Sequence, residues 1–170
     1  MIATERLDLI PATAELARAA IAGPAALKAA LKADVPATWP PDYNDKASFQ
    51  FAVDQLAKGT AQAGWWLHLV VLRAQKLLIG TVGYKGPPSA DGTVELGYGI
   101  VSDHRRKGYA AEAVRGLVSH AFAEPKVSRV IAETPPNLAP SIGVLKKCGF
   151  ELMESPGSEP GVIRFELTRP

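Results

Sequence analysis

The most constraining feature of this chain is a junction. The segment Thr93–Val101 (Thr93-Val94-Glu95-Leu96-Gly97-Tyr98-Gly99-Ile100-Val101) has the β-branched, aromatic and alternating character of a strand. It runs through Ser102-Asp103-His104-Arg105-Arg106-Lys107-Gly108 into Tyr109–Phe122, the clearest helical pattern in the sequence. There Ala110, Val114, Leu117, Val118 and Ala121 recur at helical spacing, and Glu112, Arg115 and Ser119 are expected to face away. A helix N-terminus presents unbonded amides and the positive end of the helix dipole, so it favours an anion. Gly108 lets the backbone approach a ligand, Ala110 keeps the first turn slim, and the basic side chains add charge complementarity. The competing reading is an ordinary strand–helix connection with solvated basic residues. Neither Gly-x-x-x-x-Gly-Lys-Ser/Thr nor Gly-x-Gly-x-x-Gly occurs, which disfavours a nucleotide-hydrolase or dinucleotide site.

The remaining punctuation frames this junction. Arg6–Pro11 reads as a short strand, and residues 13–33 as helix interrupted at Gly23-Pro24. Pro36–Pro41 is loop, and Asp45–Lys58 is helix with Phe49, Val53 and Leu56 on one face and Gly59 as its stop. Trp66–Leu72 and Leu77–Tyr84 are strands, and the turn-rich segment Lys85–Gly92 leads to Thr93, so a meander is expected. Val127–Glu133 is a strand, Ser141–Lys147 a short helix ending at Gly149, and Phe150–Met153 and Val162–Leu167 a closing pair of strands. This order predicts an α+β fold: one domain over residues 1–170, with a mixed, mostly antiparallel sheet and helices on both faces.

Composition narrows the function classes. A formal net charge of +2, with basic residues dispersed along the chain, gives no reason to expect a nucleic-acid partner. No apolar run approaches the roughly 18 residues of a membrane span. The start lacks a signal-peptide layout, so the expected location is cytoplasmic. His68, His104 and His120 are scattered and Cys148 is the single cysteine, so no metal is expected. Cys148 reads as a packing residue rather than a nucleophile.

Three segments together carry a resemblance. Arg105-x-x-Gly108-x-Ala110, after a strand and opening a helix, looks like the acyl-CoA signature of the GNAT N-acetyltransferase superfamily. Thr4-Glu5-Arg6-Leu7-x-Leu9-x-Pro11 is similar to the opening of its RimJ/RimL-like branch. Ser141-x-x-Val144-Leu145-x-Lys147-x-Gly149-Phe150 is similar to that branch's last helix and strand.

The resemblance implies the GNAT fold, acetyl-CoA as cosubstrate, and direct attack of a primary amine on the thioester. The acceptor would be a protein N-terminus or a small-molecule amine, and the protein a monomer or homodimer. It assigns cofactor contacts to Ile100, Val101, Arg105, Arg106, Lys107, Gly108, Tyr109 and Ala110, with Asn137 a further candidate in the proline-rich segment Pro135–Pro140. It makes Glu95 the candidate base, since an amine must lose a proton to attack; alternatively Glu95 is only a polar strand-end residue. Alternation puts Glu95, Gly97 and Gly99 on one face and Leu96, Tyr98 and Ile100 on the other. The two glycines suit ligand approach and a bulge, or packing against the Tyr109 helix. An amide near Leu96 or Tyr98 would polarise the thioester carbonyl. Many members place a Tyr after the last helix to protonate the departing thiolate; here that region lacks one, and Ser141 takes the role, or serves as the helix N-cap. Trp39, Tyr43 and Tyr98 are the acceptor-side candidates, and segments 24–61 and 155–161 would set the acceptor. A non-catalytic CoA-binding regulatory module is the rival reading.

Overall fold

The computed structural model describes residues 1–59 and 64–170. Residues 60 and 61 of the expected acceptor segment lie outside the described residues. The strands are β1 (Ile2–Ala3), β2 (Leu7–Pro11), β3 (Leu67–Leu72), β4 (Leu77–Tyr84), β5 (Thr93–Ile100), β6 (Arg129–Thr134), β7 (Glu151–Pro156) and β8 (Ile163–Thr168). The helices are α1 (Ala14–Ala22), α2 (Pro24–Leu31), α3 (Lys46–Ala57), α4 (Tyr109–Ala123) and α5 (Ala139–Lys147). The strands form one sheet in the order β1-β2-β3-β4-β5-β6-β8-β7, antiparallel throughout except for β5 beside β6.

Local chemistry sets the helix limits. Thr13 caps α1 by accepting from Leu16 N at 3.1 Å, and Asp45 caps α3 by accepting from Ser48 N at 2.9 Å. Gly23 sits at φ 125° between α1 and α2, with Pro24 opening the second helix. Gly149, at φ 87°, follows α5 as the left-handed residue the sequence suggests.

Both faces of the sheet are covered. Cross-strand partners share a face, so Tyr84 with Leu96, Val82 with Tyr98, and Gly80 with Ile100 line one side. There α4 packs, with Val114, Leu117 and Ala121 fully buried and the Tyr84 hydroxyl donating to Leu117 O at 2.6 Å. The opposite face carries α1 and α3, whose Ala17, Ala52 and Val53 pack with Leu67. Burying these apolar stripes on the two faces supplies most of the drive to fold.

Glu112 departs from the expected outward-facing set. Its side chain is only 12% exposed and accepts hydrogen bonds from Thr4 and Arg6, because the N-terminal strands cross beside the first turns of α4. Nor is there a bulge between β4 and β5, which pair without a shift; register shifts lie between β3 and β4 at Val70/Val71 and between β7 and β8 at Leu152/Pro156.

One topological detail positions the site. β5 and β6 pair from Thr93↔Arg129 to Leu96↔Ala132 and no further. Beyond that point β5 continues on β4 as far as Ile100, and β6 continues on β8 as far as Thr134. The two central parallel strands therefore part after Leu96. Their closed end is stapled: Arg129 Nε donates to Thr93 Oγ1 at 2.6 Å, and the same guanidinium pairs with Asp91.

Candidate active site

The cleft opens between β5 and β6, and the backbone decides what faces it. Val101 N donates to Ile79 O and Lys85 N donates to Glu95 O, so the odd-numbered residues of β5 spend their main-chain groups on β4. By the same alternation Leu96, Tyr98 and Ile100 turn theirs toward β6, and after Leu96 no β6 partner remains. An extended ligand entering there meets strand amides ready to pair.

The turn at the open end of β5 carries the second set of donors. Arg106 has φ 59° and Gly108 φ 82°, which folds the backbone back on itself before α4 begins. Gly108 is the N-cap of α4 and provides no side-chain cap. Among the described residues, the amides of Arg106 through Ala111 have no intramolecular acceptor; helical bonding starts with Glu112 N to Gly108 O at 3.0 Å. Consecutive unbonded amides at a positive helix end can cradle an anion, and a diphosphate suits that donor set.

The basic side chains divide their work differently from expectation. Arg105 is a strut: its Nε donates to Ile100 O at 2.8 Å and its guanidinium pairs with Asp42 at 2.6 Å. Lys107 Nζ reaches Asp103 O at 3.0 Å, while Arg106 stays exposed. The side chains of Ile100 and Val101 belong to the core. Val101 N is committed to Ile79 O, and its carbonyl already accepts from His104 N at 3.0 Å, so Val101 has only one carbonyl lone pair left to offer. Tyr109 and Ala110 are half-buried in the first turn. Asn137 is exposed in the turn between β6 and α5.

Glu95 lies on the face opposite α4, just before the strands part. Lys85 forms an ion pair with its Oε1, an atom buried and without a hydrogen bond of proper geometry. On the same face, space stands open over Gly97: nothing lies within 4 Å of where a Cβ would be. Gly99 is instead covered by the 41–44 loop, where a Cβ would sit 3.0 Å from Pro41 Cβ and 3.2 Å from Asn44 Oδ1. The expected alternative, packing of both glycines on the Tyr109 helix, is thus overturned, since α4 covers the other face. Asn44 also pairs with Thr81 Oγ1 at 2.7 Å, tying this loop to β4.

The aromatic candidates separate. Tyr43 is 83% exposed on the 41–44 loop, at φ 66°. Trp39 is not an exposed pocket wall. It is buried and stacked on Phe49 with 5.9 Å between ring centroids, because the loop folds its largest apolar side chain inward. Tyr98 is on the α4 face, away from Tyr43 and Glu95. Its hydroxyl donates to Ser141 O at 3.0 Å and lies 3.0 Å from Ser141 Oγ. Burial pushes the Tyr98 phenol up to about 12, so it stays protonated at neutral pH. Ser141 is not the N-cap of α5: Leu138 holds that position and Ser141 lies inside the first turn. Pro140, tolerated early in a helix, lets α5 start two residues before the expected point. Cys148 donates to Ala111 O at 3.4 Å, and burial raises its thiol pKa, consistent with packing.

The sequence alone gives no separate role to Arg6, Lys85 or Asp42. Arg6 stands out only as part of a motif, whereas Lys85 and Asp42 lie in turns, where no periodicity announces a contact.

Comparison with known proteins decides the family. The Acetyltransferase (GNAT) domain family matches residues 6–151. This chain is a GNAT-family protein. An N-acetyltransferase of Bacillus subtilis described as uncharacterized, YjdG, is 32% identical over 97 residues, covering 57% of this chain and 58% of YjdG. The chain spans about half the length of the curated relatives it matches. Among solved structures, RimL, a ribosomal L7/L12 alpha-N-protein acetyltransferase in complex with coenzyme A, superimposes with TM-score 0.68 at 15% identity, over 97% of this chain and 95% of that one. The microcin C7 self immunity acetyltransferase MccE, in complex with acetyl-CoA and AMP, gives 0.67 at 14% identity, over 97% and 93%. At such identities the likeness is one of fold, and the fold is the GNAT fold.

Proposed function

We propose that this GNAT protein transfers an acetyl group from acetyl-CoA to a primary amine. The observation that carries the reading is a coincidence of place: β5 parts from β6 after Leu96, and the uncapped amides of Arg106–Ala111 lie at that same open end. A long ligand with a diphosphate in the turn and an extended arm in the cleft satisfies both donor sets at once. Bound there, coenzyme A would supply the activated acetyl thioester.

The chain's own groups divide the remaining work. The turn amides bind the diphosphate, Arg106 and Lys107 add charge, and Arg105 holds the end of β5 rather than the phosphate. Ile100 contributes main chain, Val101 chiefly position, and Tyr109 and Ala110 the first helical turn; Asn137 flanks the far wall. A β5 amide at Leu96 or Tyr98 polarises the acetyl carbonyl. Glu95 takes the amine's proton or orients the amine, and Lys85 pairs with its carboxylate. The open space over Gly97 is where the amine approaches, with Tyr43 at its exposed rim. Ser141 sits on the opposite side of the strand, held by Tyr98, and gives a proton to the departing sulfur.

The RimJ/RimL-like motifs and the fold shared with RimL support placement in that branch, with a peptide N-terminus as one acceptor class and a small amine as the other. A single domain over residues 1–170, a cytoplasmic location and a monomeric or homodimeric state complete the reading. No described helix is long and apolar enough to cross a membrane.

The deciding experiment is free-thiol release from acetyl-CoA across a panel of amines and N-terminal peptides, paired with calorimetry of coenzyme A against ATP. Heat with coenzyme A together with amine-dependent thiol release supports the assignment. Heat without release from any amine would favour the regulatory module, and no heat with millimolar coenzyme A would remove both.

A further inference from the structure

The turn that cradles the diphosphate is built with an adverse charge beside it. Glu112 lies in the first turn of α4, one residue beyond the last unbonded amide, with its carboxylate largely buried. Donation from Thr4 Oγ1 at 2.5 Å and from Arg6 N at 2.7 Å helps keep that carboxylate ionised. A fixed negative charge there suits the helix dipole but repels an anionic ligand at the same terminus.

Arg6 answers this charge and braces the turn as well. Its Nε donates to Glu112 Oε2 at 2.7 Å, and its Nη1 donates to Lys107 O at 3.1 Å. Its guanidinium carbon lies 4.4 Å from the centre of the Tyr109 ring, and Nη2 stands 3.4 Å from the place a Cβ on Gly108 would take. One planar group therefore touches Lys107, Tyr109 and Glu112 and stands beside Gly108. The fork geometry of arginine makes this possible, and a lysine ammonium has no equivalent.

We propose that Arg6 is a positioning residue of the diphosphate turn: it fixes the Lys107–Tyr109 backbone from outside and cancels the charge of Glu112 so that an anion can settle on the amides. The role rests on reading that turn as the coenzyme A diphosphate site. It also assigns a purpose to the arginine of the Thr4-Glu5-Arg6-Leu7 segment, which reaches α4 across a separation of more than a hundred residues.

The test is calorimetry with coenzyme A on the full chain at fixed ionic strength, with a melting temperature for every variant. Arg6→Met should weaken coenzyme A at least about tenfold, the loss of one charge-assisted contact set. Arg6→Met/Glu112→Gln should recover at least about a third of that affinity, because the uncompensated charge is gone. Glu112→Gln alone should bind as tightly as the wild type or more so. Arg6→Lys, which keeps the charge but cannot bridge Glu112 and Lys107 together, should fall between, and it carries the test if Arg6→Met does not fold. Affinities of Arg6→Met and Arg6→Lys within twofold of wild type would overturn the role. So would a double variant no tighter than Arg6→Met, which would reduce Arg6 to a structural brace. Absence of binding by the wild type would instead overturn the diphosphate reading itself.

Discussion

The Tyr98 hydroxyl lies 3.0 Å from both the carbonyl oxygen and the Oγ of Ser141, joining the middle of β5 to the first turn of α5. A phenol has one proton. Donated to the Ser141 carbonyl, that proton leaves the phenol oxygen to accept from the serine hydroxyl and hold it in place; donated to Oγ instead, it leaves the serine's own proton free to be given away.

Ser141→Ala should therefore lower turnover with little change in stability. Ser141 is not a cap, so the roughly 1 kcal/mol that a lost N-cap costs should not appear. Tyr98→Phe should lower turnover less, and cost about 1 kcal/mol from the lost hydrogen bond. Steady-state kinetics beside denaturant unfolding checks both; a melting temperature that falls in step with activity in Ser141→Ala would contradict the proton-donor role.

Glu95→Gln should keep coenzyme A affinity and lose turnover by about 10²-fold or more at neutral pH, the scale of general-base catalysis. Activity should return partly at high pH, where the free amine is already deprotonated. Rates measured from pH 7 to 10 decide the matter, and unaltered turnover at pH 7 would exclude Glu95 from the proton transfer.

Gly97 and Gly108 should fail in different ways. Space is open over Gly97, so Gly97→Ala should fold as stably as the wild type, and Gly97→Leu should raise the acceptor KM while sparing that of acetyl-CoA. Gly108 has φ 82°, so Gly108→Ala should cost about 1 kcal/mol and weaken coenzyme A. Reversal of the two KM effects would mean the cleft has been assigned back to front.

Stability should fall in mild acid. His68 is buried with Nδ1 3.1 Å from Trp66 O, and desolvation pulls its pKa from 6.5 to about 4. The fold holds the neutral ring, so this contribution is complete above pH 6.5. As the pH drops below 6.5 the unfolded chain binds a proton that the folded chain refuses, and stability declines until about pH 4. The loss is roughly 3 kcal/mol over that interval, because each tenfold difference in proton affinity between the folded and unfolded chain is worth about 1.4 kcal/mol. His120 is lowered for the same reason, burial, and adds in the same direction. Unfolding free energies at pH 7 and pH 4.5 should show the decline, and His68→Gln should flatten it.

Much of this protein was fixed by local sequence. Helix limits followed from Thr13, Asp45, Gly23-Pro24 and Gly149, and the strand-to-helix junction at Arg105–Ala110 announced where α4 opens, because caps, breakers and apolar periods act over a few residues. The position of Glu95 on a face with Gly97 and Gly99 followed from strand alternation alone. Where those faces look was another matter. Only the tertiary arrangement put Tyr98 beside Ser141, folded Trp39 inward, turned Arg105 into a strut, and brought Arg6 and Glu112 together under the turn. Such contacts join elements distant along the chain, and no local propensity records which distant side chain will fill a given space or neutralise a given charge.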